Sequence, residues 1–197
     1  MGSVFTIGHS NQQVAAFIFL LKQHRVEVLI DVRSFPVSKY STQFNRTALK
    51  PVLSENGIKY SFLGNELGGR PHDPEFYDDG GYVLYNLVAL MPAFERGIER
   101  LMSNVGRYRL AIMCSEEDPT GCHRRLLIAR VLRKRGLKVR HIRGDGNVND
   151  DAELDDETVG SGRGSAQLAL FDVPKESVWK SVRSVLPRSP PRSSSES

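Results

Sequence analysis

Short apolar, β-branched runs alternate with amphipathic helical runs along most of this 197-residue chain, and that alternation limits its fold more than any other feature. Val4-Phe5-Thr6-Ile7 reads as a buried strand. After Gly8-His9-Ser10, with Ser10 as the expected N-cap, Val14, Phe17, Ile18, Leu20 and Leu21 fall near helical spacing within residues 11–25. Residues 26–32 make a second strand and residues 33–45 a polar loop. A helix capped by Asn45 then runs to a stop at Gly57. Ile58-Lys59-Tyr60-Ser61-Phe62-Leu63 alternates as a third strand. Residues 64–81 form a loop rich in Gly, Pro and Asp, a length uncommon in a compact domain unless it has a function. A helix over 84–104 must bend or divide at Pro92. A fourth strand covers 109–114, a helix over 123–135 ends at Gly136, and residues 137–142 make a fifth strand. Strict alternation implies right-handed crossovers and a parallel sheet. The predicted architecture is a three-layer α/β sandwich, Rossmann-like, with a mostly parallel sheet of about five strands.

Composition changes after residue 144. Residues 1–144 hold 21 Lys+Arg against 13 Asp+Glu, and residues 145–197 hold 6 against 10. A basic body points to an anionic partner. Six acids crowd residues 150–157, Gly, Ser and Arg fill 160–164, and Pro and Ser dominate 187–197. The expected organisation is therefore a domain over 1–144 and a flexible, disordered tail over 145–197. One short helix is expected at 175–186, where Val178, Val182 and Val185 share a face. No apolar run approaches the length of a bilayer span, and the N-terminus lacks the pattern of a secretory signal. Two cysteines are too few for a disulfide framework. A cytoplasmic protein without membrane contact is expected.

Ligands of open parallel sheets bind beyond the carboxyl ends of the strands, and the unusual residues of this chain fall there. Cys114, His9, Asp31 and Glu116 are the catalytic candidates; Arg33, Ser34, Arg70, Cys122, His123 and Arg124 are the substrate-binding candidates. A cysteine ending a strand just before a helix suits a nucleophile; the plainer alternative is a small buried apolar residue. Glu116, Glu117 and Asp118 follow Cys114 and are expected to raise its pKa. His9 suits a general acid or base, or a hydrogen-bonded loop residue. Arg33, Arg70, His123 and Arg124 would together form a corner for phosphate or carboxylate. The alternative is that the arginines pair with Asp31, Glu66 and Glu116. Cys114, Cys122 and His123, with His9 or His141, fit no standard zinc spacing, so no metal is assigned and the cofactor is left open. A reversible Cys114–Cys122 disulfide also stays open.

Two features point to DNA. Between residues 124 and 143 stand Arg124, Arg125, Arg130, Arg133, Lys134, Arg135, Lys138, Arg140 and Arg143 with no acid among them, a stripe suited to a phosphate backbone or a solvated helix face. In the tail, Gln167-Leu168-Ala169-Leu170-Phe171 resembles the short peptide with which bacterial replication and repair proteins grip the sliding clamp. Leu170 and Phe171 would fill apolar subsites while Gln167 supplies directional hydrogen bonds. The alternative is a segment that folds back on the domain.

Thr6-Ile7-Gly8-His9-Ser10, Asp31-Val32-Arg33-Ser34, Glu66-Leu67-Gly68-Gly69-Arg70 and Met113-Cys114-Ser115-Glu116 with Cys122-His123-Arg124 resemble, in order, the domain-of-unknown-function family 488. The resemblance spans about residues 4–142 and implies which positions matter without implying a reaction. Asp31-Val32-Arg33 and the strand, cysteine loop and helix also resemble rhodanese-type sulfur-transfer domains, whose active loops are shorter. The first functional expectation is a nucleic-acid-associated protein, a DNA repair or modification enzyme tethered to the sliding clamp. The alternatives are a cysteine-dependent sulfur-transfer or redox enzyme acting on a small molecule, and a non-catalytic module for phosphorylated ligands.

Overall fold

A computed structural model describes residues 2–154 and 179–185. The strands are β1 (Ser3–Gly8), β2 (Val28–Asp31), β3 (Lys59–Phe62), β4 (Leu110–Cys114), β5 (Lys138–Ile142) and β6 (Val148–Asp150). They form one sheet in the order β3-β2-β4-β1-β5-β6, parallel except for β6, which runs antiparallel to β5. The helices are α1 (Val14–Gln23), α2 (Arg46–Glu55), α3 (Gly64–Leu67), α4 (Tyr85–Val88), α5 (Pro92–Met102) and α6 (Arg130–Lys134); α6 continues a π-helical stretch over Arg124–Ala129.

Because strand side chains alternate between faces, each central strand feeds two cores. Phe5, Ile7, Leu29, Ala111 and Met113 pack with Phe17, Leu21, Leu49 and Leu53 of α1 and α2. Val4, Ile30, Leu110 and Ile112 pack with Phe94, Ile98 and Leu101 of α5 and with Leu127, Ile128 and Leu132. The result is the expected three-layer sandwich. Each fully buried Leu, Ile or Phe contributes about 1.5–3 kcal/mol, which is why the central strands are apolar on both sides.

Within residues 2–144, the local start and stop signals are realised with two exceptions. Pro92 divides the expected long helix into α4 and α5 and stands in the first turn of α5, where its missing N–H costs nothing. Gly57 and Gly136 end their helices at φ +75° and +82°. Ser10, however, does not cap α1. The N–H groups of His9 and Ser10 bond to the carbonyls of Cys114 and Ser115 at 3.0 and 2.8 Å, so the chain continues beside β4 before turning. Ser10 adopts φ +48°, and Gln13 becomes the N-cap. Asn45 does precede α2, but its Oδ1 accepts the Ser38 N–H at 2.6 Å.

The packed body runs past residue 144. β6 extends the sheet, and Asp151 and Leu154 are buried. Residues 179–185, placed within a helix by the sequence pattern, instead form an extended arm. Lys180 makes a β-bridge with Leu84, and the N–H groups of Ser181 and Val185 bond to Val83 O and Gly81 O at 2.9 and 3.0 Å. The Trp179 indole donates to Leu126 O at 2.7 Å. These backbone bonds decide the conformation, and Val182 is left exposed. Gln167, Leu168, Leu170 and Phe171 lie outside the described residues. Among the described residues, no helix is long and apolar enough to cross a membrane.

Candidate active site

The strand order sets β4 between β1 and β2, with Gly8 level with Cys114 and Asp31 level with Met113. The carboxyl ends of three strands therefore meet, and alternation divides what they carry. Cys114 follows Leu110 and Ile112 toward α5; His9 and Asp31 follow Ile7 and Leu29 toward α1 and α2.

On the α1–α2 side, Asp31 is 0% exposed and fully engaged. Its Oδ1 accepts Arg33 Nε at 2.9 Å and the Arg33 backbone N–H at 3.1 Å; its Oδ2 accepts Arg33 Nη2 and the Tyr60 hydroxyl at 2.6 and 2.7 Å. Arg33 Nη2 also donates to Phe44 O at 2.9 Å, and Nη1 donates to His9 Nε2 at 3.0 Å. His9 stacks on Phe44 with ring centroids 4.3 Å apart and donates from Nδ1 to Ser10 O at 2.6 Å. Burial, with the Arg33 charge adding to it, pushes His9 down to about 4. His9 is thus a neutral ring with both nitrogens occupied, which holds Arg33 in place. Asp31 likewise serves as the buried counter-ion of Arg33.

On the other side, Cys114 Sγ lies 3.6 Å from His123 Nδ1, and Cys122 Sγ lies 3.9 Å from the same nitrogen. His123 Nε2 donates to Val32 O at 3.1 Å, which fixes the ring with Nδ1 toward the sulfurs. A hydrogen bond from Cys122 outweighs burial at Cys114 and, with the charges of His123 and Arg124, holds its thiol well below the ordinary value. Burial and the neighbouring Cys114 charge push Cys122 well above it. Burial opposes protonation of His123, but the charge and hydrogen bond of Cys114 prevail and its pKa is raised. Both shifts favour a thiolate at Cys114 beside a protonated His123. The acids after Cys114 do not act as expected, because the loop turns two of them away. Glu117 pairs with Arg143 at 2.8 Å, and Asp118 binds the Thr120 hydroxyl and backbone N–H at 2.8 and 2.9 Å.

Arg124, a candidate for substrate binding, is 0% exposed and ties the cysteine loop from within. It donates to the carbonyls of Glu116 and Glu117, and its Nε donates to Thr6 Oγ1 at 3.2 Å. The Thr6 hydroxyl donates to His141 Nδ1 at 2.7 Å, and His141 Nε2 donates to Asp151 Oδ1 at 2.8 Å. Burial lowers the His141 pKa despite Asp151, in keeping with that neutral tautomer. His141 is therefore a strut, apart from the cysteines. The π-helical turn lets adjacent Arg124 and Arg125 both be buried with different partners, Arg125 binding Asp151 at 3.0 Å.

A cavity of 470 Å³ opens beside the sulfur. Cys114, His123, Arg33, Ser34, Arg70 and Glu116 line it, so six of the ten candidate site residues share one wall system; His9, Asp31, Cys122 and Arg124 stand behind it. The two glycines before Arg70 have a steric cause: a Cβ on Gly69 would lie 2.5 Å from His123 Cγ, and one on Gly68 would lie 2.5 Å from Ser34 Oγ. Tyr85, Ser181, Arg183 and Ser184 also line the cavity and were not foreseen. Tyr85 carried a legible signal, a tyrosine at the start of a helix after a functional-looking loop. The arm residues carried none.

The basic stripe does not form one free face. Arg133, Arg135 and Arg143 pair with Asp151, Glu95 and Glu117 at 2.7, 2.5 and 2.8 Å. Arg130 and Lys134 lie over the Trp179 ring at 4.6 and 5.6 Å, and Arg140 lies over Phe5 at 4.6 Å. The compensating acids come from other parts of the chain.

Cys114 Sγ, Cys122 Sγ and His123 Nδ1 all lie within 4.8 Å of one another and could hold one soft cation. Comparison with known families matches residues 13–131, more than half of the chain, to the domain of unknown function DUF488. No curated protein matches the chain.

Proposed function

The chain belongs to the DUF488 family, and we propose that it is a thiol-dependent enzyme whose Cys114 thiolate attacks an electrophilic centre of a small molecule held in the 470 Å³ cavity. The carrying observation is the Cys114–His123 contact of 3.6 Å on the cavity wall, with the far side of the imidazole fixed by Val32 O. An imidazolium beside a thiolate keeps the sulfur ionised near neutral pH. The Cys122 thiol supports the same charge. Sulfur transfer and thiol redox chemistry both begin from this state. His9 and Asp31 act at one remove, by setting Arg33. The test is alkylation of the full chain by iodoacetamide, followed by mass spectrometry of the Cys114 peptide. Rapid labelling of Cys114 near pH 7 is expected; labelling as slow as that of an ordinary thiol would overturn the reading.

A second reading is favoured by the compact cysteine–histidine triangle. A zinc-like ion bound by Cys114, Cys122 and His123 would leave a fourth position for a ligand. Elemental analysis of the purified protein decides between the two: one equivalent of metal, lost in Cys122→Ser, supports this second reading.

A setting at DNA rests on sequence alone. The tail residues Gln167, Leu168, Leu170 and Phe171 would tether the enzyme to the sliding clamp. A peptide of residues 160–175 should then bind purified clamp, and Leu170→Ala with Phe171→Ala should abolish binding. No binding by the native peptide would remove this setting.

A further inference from the structure

We propose that Arg70 and Arg183 form an oxyanion-binding subsite of the cavity, so that the substrate of Cys114 carries a carboxylate, phosphate or sulfonate group. The inference rests on the reading of Cys114 as the reactive sulfur.

The cations lining the cavity differ in what remains free. Arg33 has spent four of its five N–H groups on Asp31, Phe44 and His9. Arg70 has spent none: its guanidinium has no hydrogen bond or ion pair among the described residues, although it lines the cavity. Its backbone is nonetheless held, since the Arg70 N–H donates to Ser34 Oγ at 3.0 Å. Arg183 comes from a different segment. Its side chain is 76% exposed and makes a long ion pair with Glu116, 4.0 Å away, which leaves its N–H groups without a hydrogen bond to that carboxylate.

The arm that carries Arg183 is anchored on both sides of it. Ser181 Oγ accepts the Val83 N–H at 2.9 Å and donates to Arg183 O at 2.8 Å, while the Val185 N–H bonds to Gly81 O. The cavity thus receives two guanidinium groups on fixed backbones. Glu116 is the one carboxylate among its lining residues, which also include the hydroxyls of Ser34, Ser38, Ser115, Ser181 and Ser184. Guanidinium groups bind planar or tetrahedral oxyanions through paired N–H donors. Arg70 has no carboxylate partner among the described residues and Arg183 meets Glu116 only across 4.0 Å, so this wall suits an anionic ligand better than a neutral one. Residues 179–185 lie outside the segment matched to the family.

Two measurements on the full chain separate this inference from the reactivity of Cys114. The first compares iodoacetate with iodoacetamide, in both of which the thiolate forms a carbon–sulfur bond and iodide leaves. Relative to 2-mercaptoethanol, Cys114 should favour iodoacetate by about tenfold or more. That preference should fall in Arg70→Ala and Arg183→Ala and be partly restored in Arg183→Lys. The second is calorimetric titration of inorganic phosphate onto Cys114→Ser, which needs no thiol. Saturable binding that is lost on adding Arg70→Ala or Arg183→Ala is expected. A preference equal to that of mercaptoethanol, or no saturable phosphate binding, overturns the subsite whether or not Cys114 proves reactive.

Discussion

His9 directly follows β1, His123 stands at the start of the π-helical stretch beside Cys114 at the end of neighbouring β4, and the two have opposite electrostatic fates. His9 faces a guanidinium, stacks on Phe44, and is driven down to about 4. His123 faces two sulfurs, and its pKa is raised. Burial pushes both toward neutrality, so the difference comes from the partner: a fixed cation at one ring and an ionisable thiol at the other. The Asp31–Arg33–His9 side is closed, each group meeting another. The Cys114–His123 side faces a cavity. Clustering at a sheet edge marks a region, but open chemistry within that region is found by tracing where each proton and lone pair goes.

That contrast can be broken most directly at its open side. Cys114→Ser should abolish rapid iodoacetamide labelling, by about two orders of magnitude or more, because Cys122 is buried with a raised pKa; peptide mass spectrometry reads this. On the closed side, Asp31→Asn should cost about 3–5 kcal/mol in urea unfolding, since it leaves Arg33 buried without its counter-ion. The closed histidine also predicts a pH dependence. Its pKa is 6.5 when unfolded and about 4 when folded, so the unfolded chain binds the extra proton between those values. The His9 contribution is complete above about pH 6.5 and is lost progressively toward pH 4, roughly 3 kcal/mol in all. Unfolding midpoints of His9→Gln should lack that part of the acid decline. The smallest effect belongs to His123→Asn, which should raise the apparent pKa of Cys114 and slow its alkylation at pH 7 by about tenfold. An unchanged profile would show that Cys122 and Arg124 suffice.

Much of the fold was legible because its signals are local. The five parallel strands, the break at Pro92 and the stops at Gly57 and Gly136 each follow from a few adjacent residues. β6 was not legible, since Val148-Asn149-Asp150 opens an acidic stretch with no apolar pattern. What holds that stretch is Asp151, whose partners Arg125, Arg133 and His141 are distant in sequence. The arm over 179–185 docks largely through its backbone, which side-chain patterns do not encode. The strand-end rule picks out loops that do meet in space, but it cannot rank their residues. Arg124 reads as a ligand-binding cation and is an internal strut; Glu117 and Asp118 read as neighbours of Cys114 and are turned toward Arg143 and Thr120.

The pH dependence of Cys114 alkylation in the unmodified protein bears most directly on the central claim. A rate that rises through an inflection clearly below about 8.5, the value of a free cysteine, and that reaches its plateau near neutrality is the result predicted by the thiolate–imidazolium pair. An inflection at or above that value would mean that the sulfur at the cavity wall is an ordinary buried thiol.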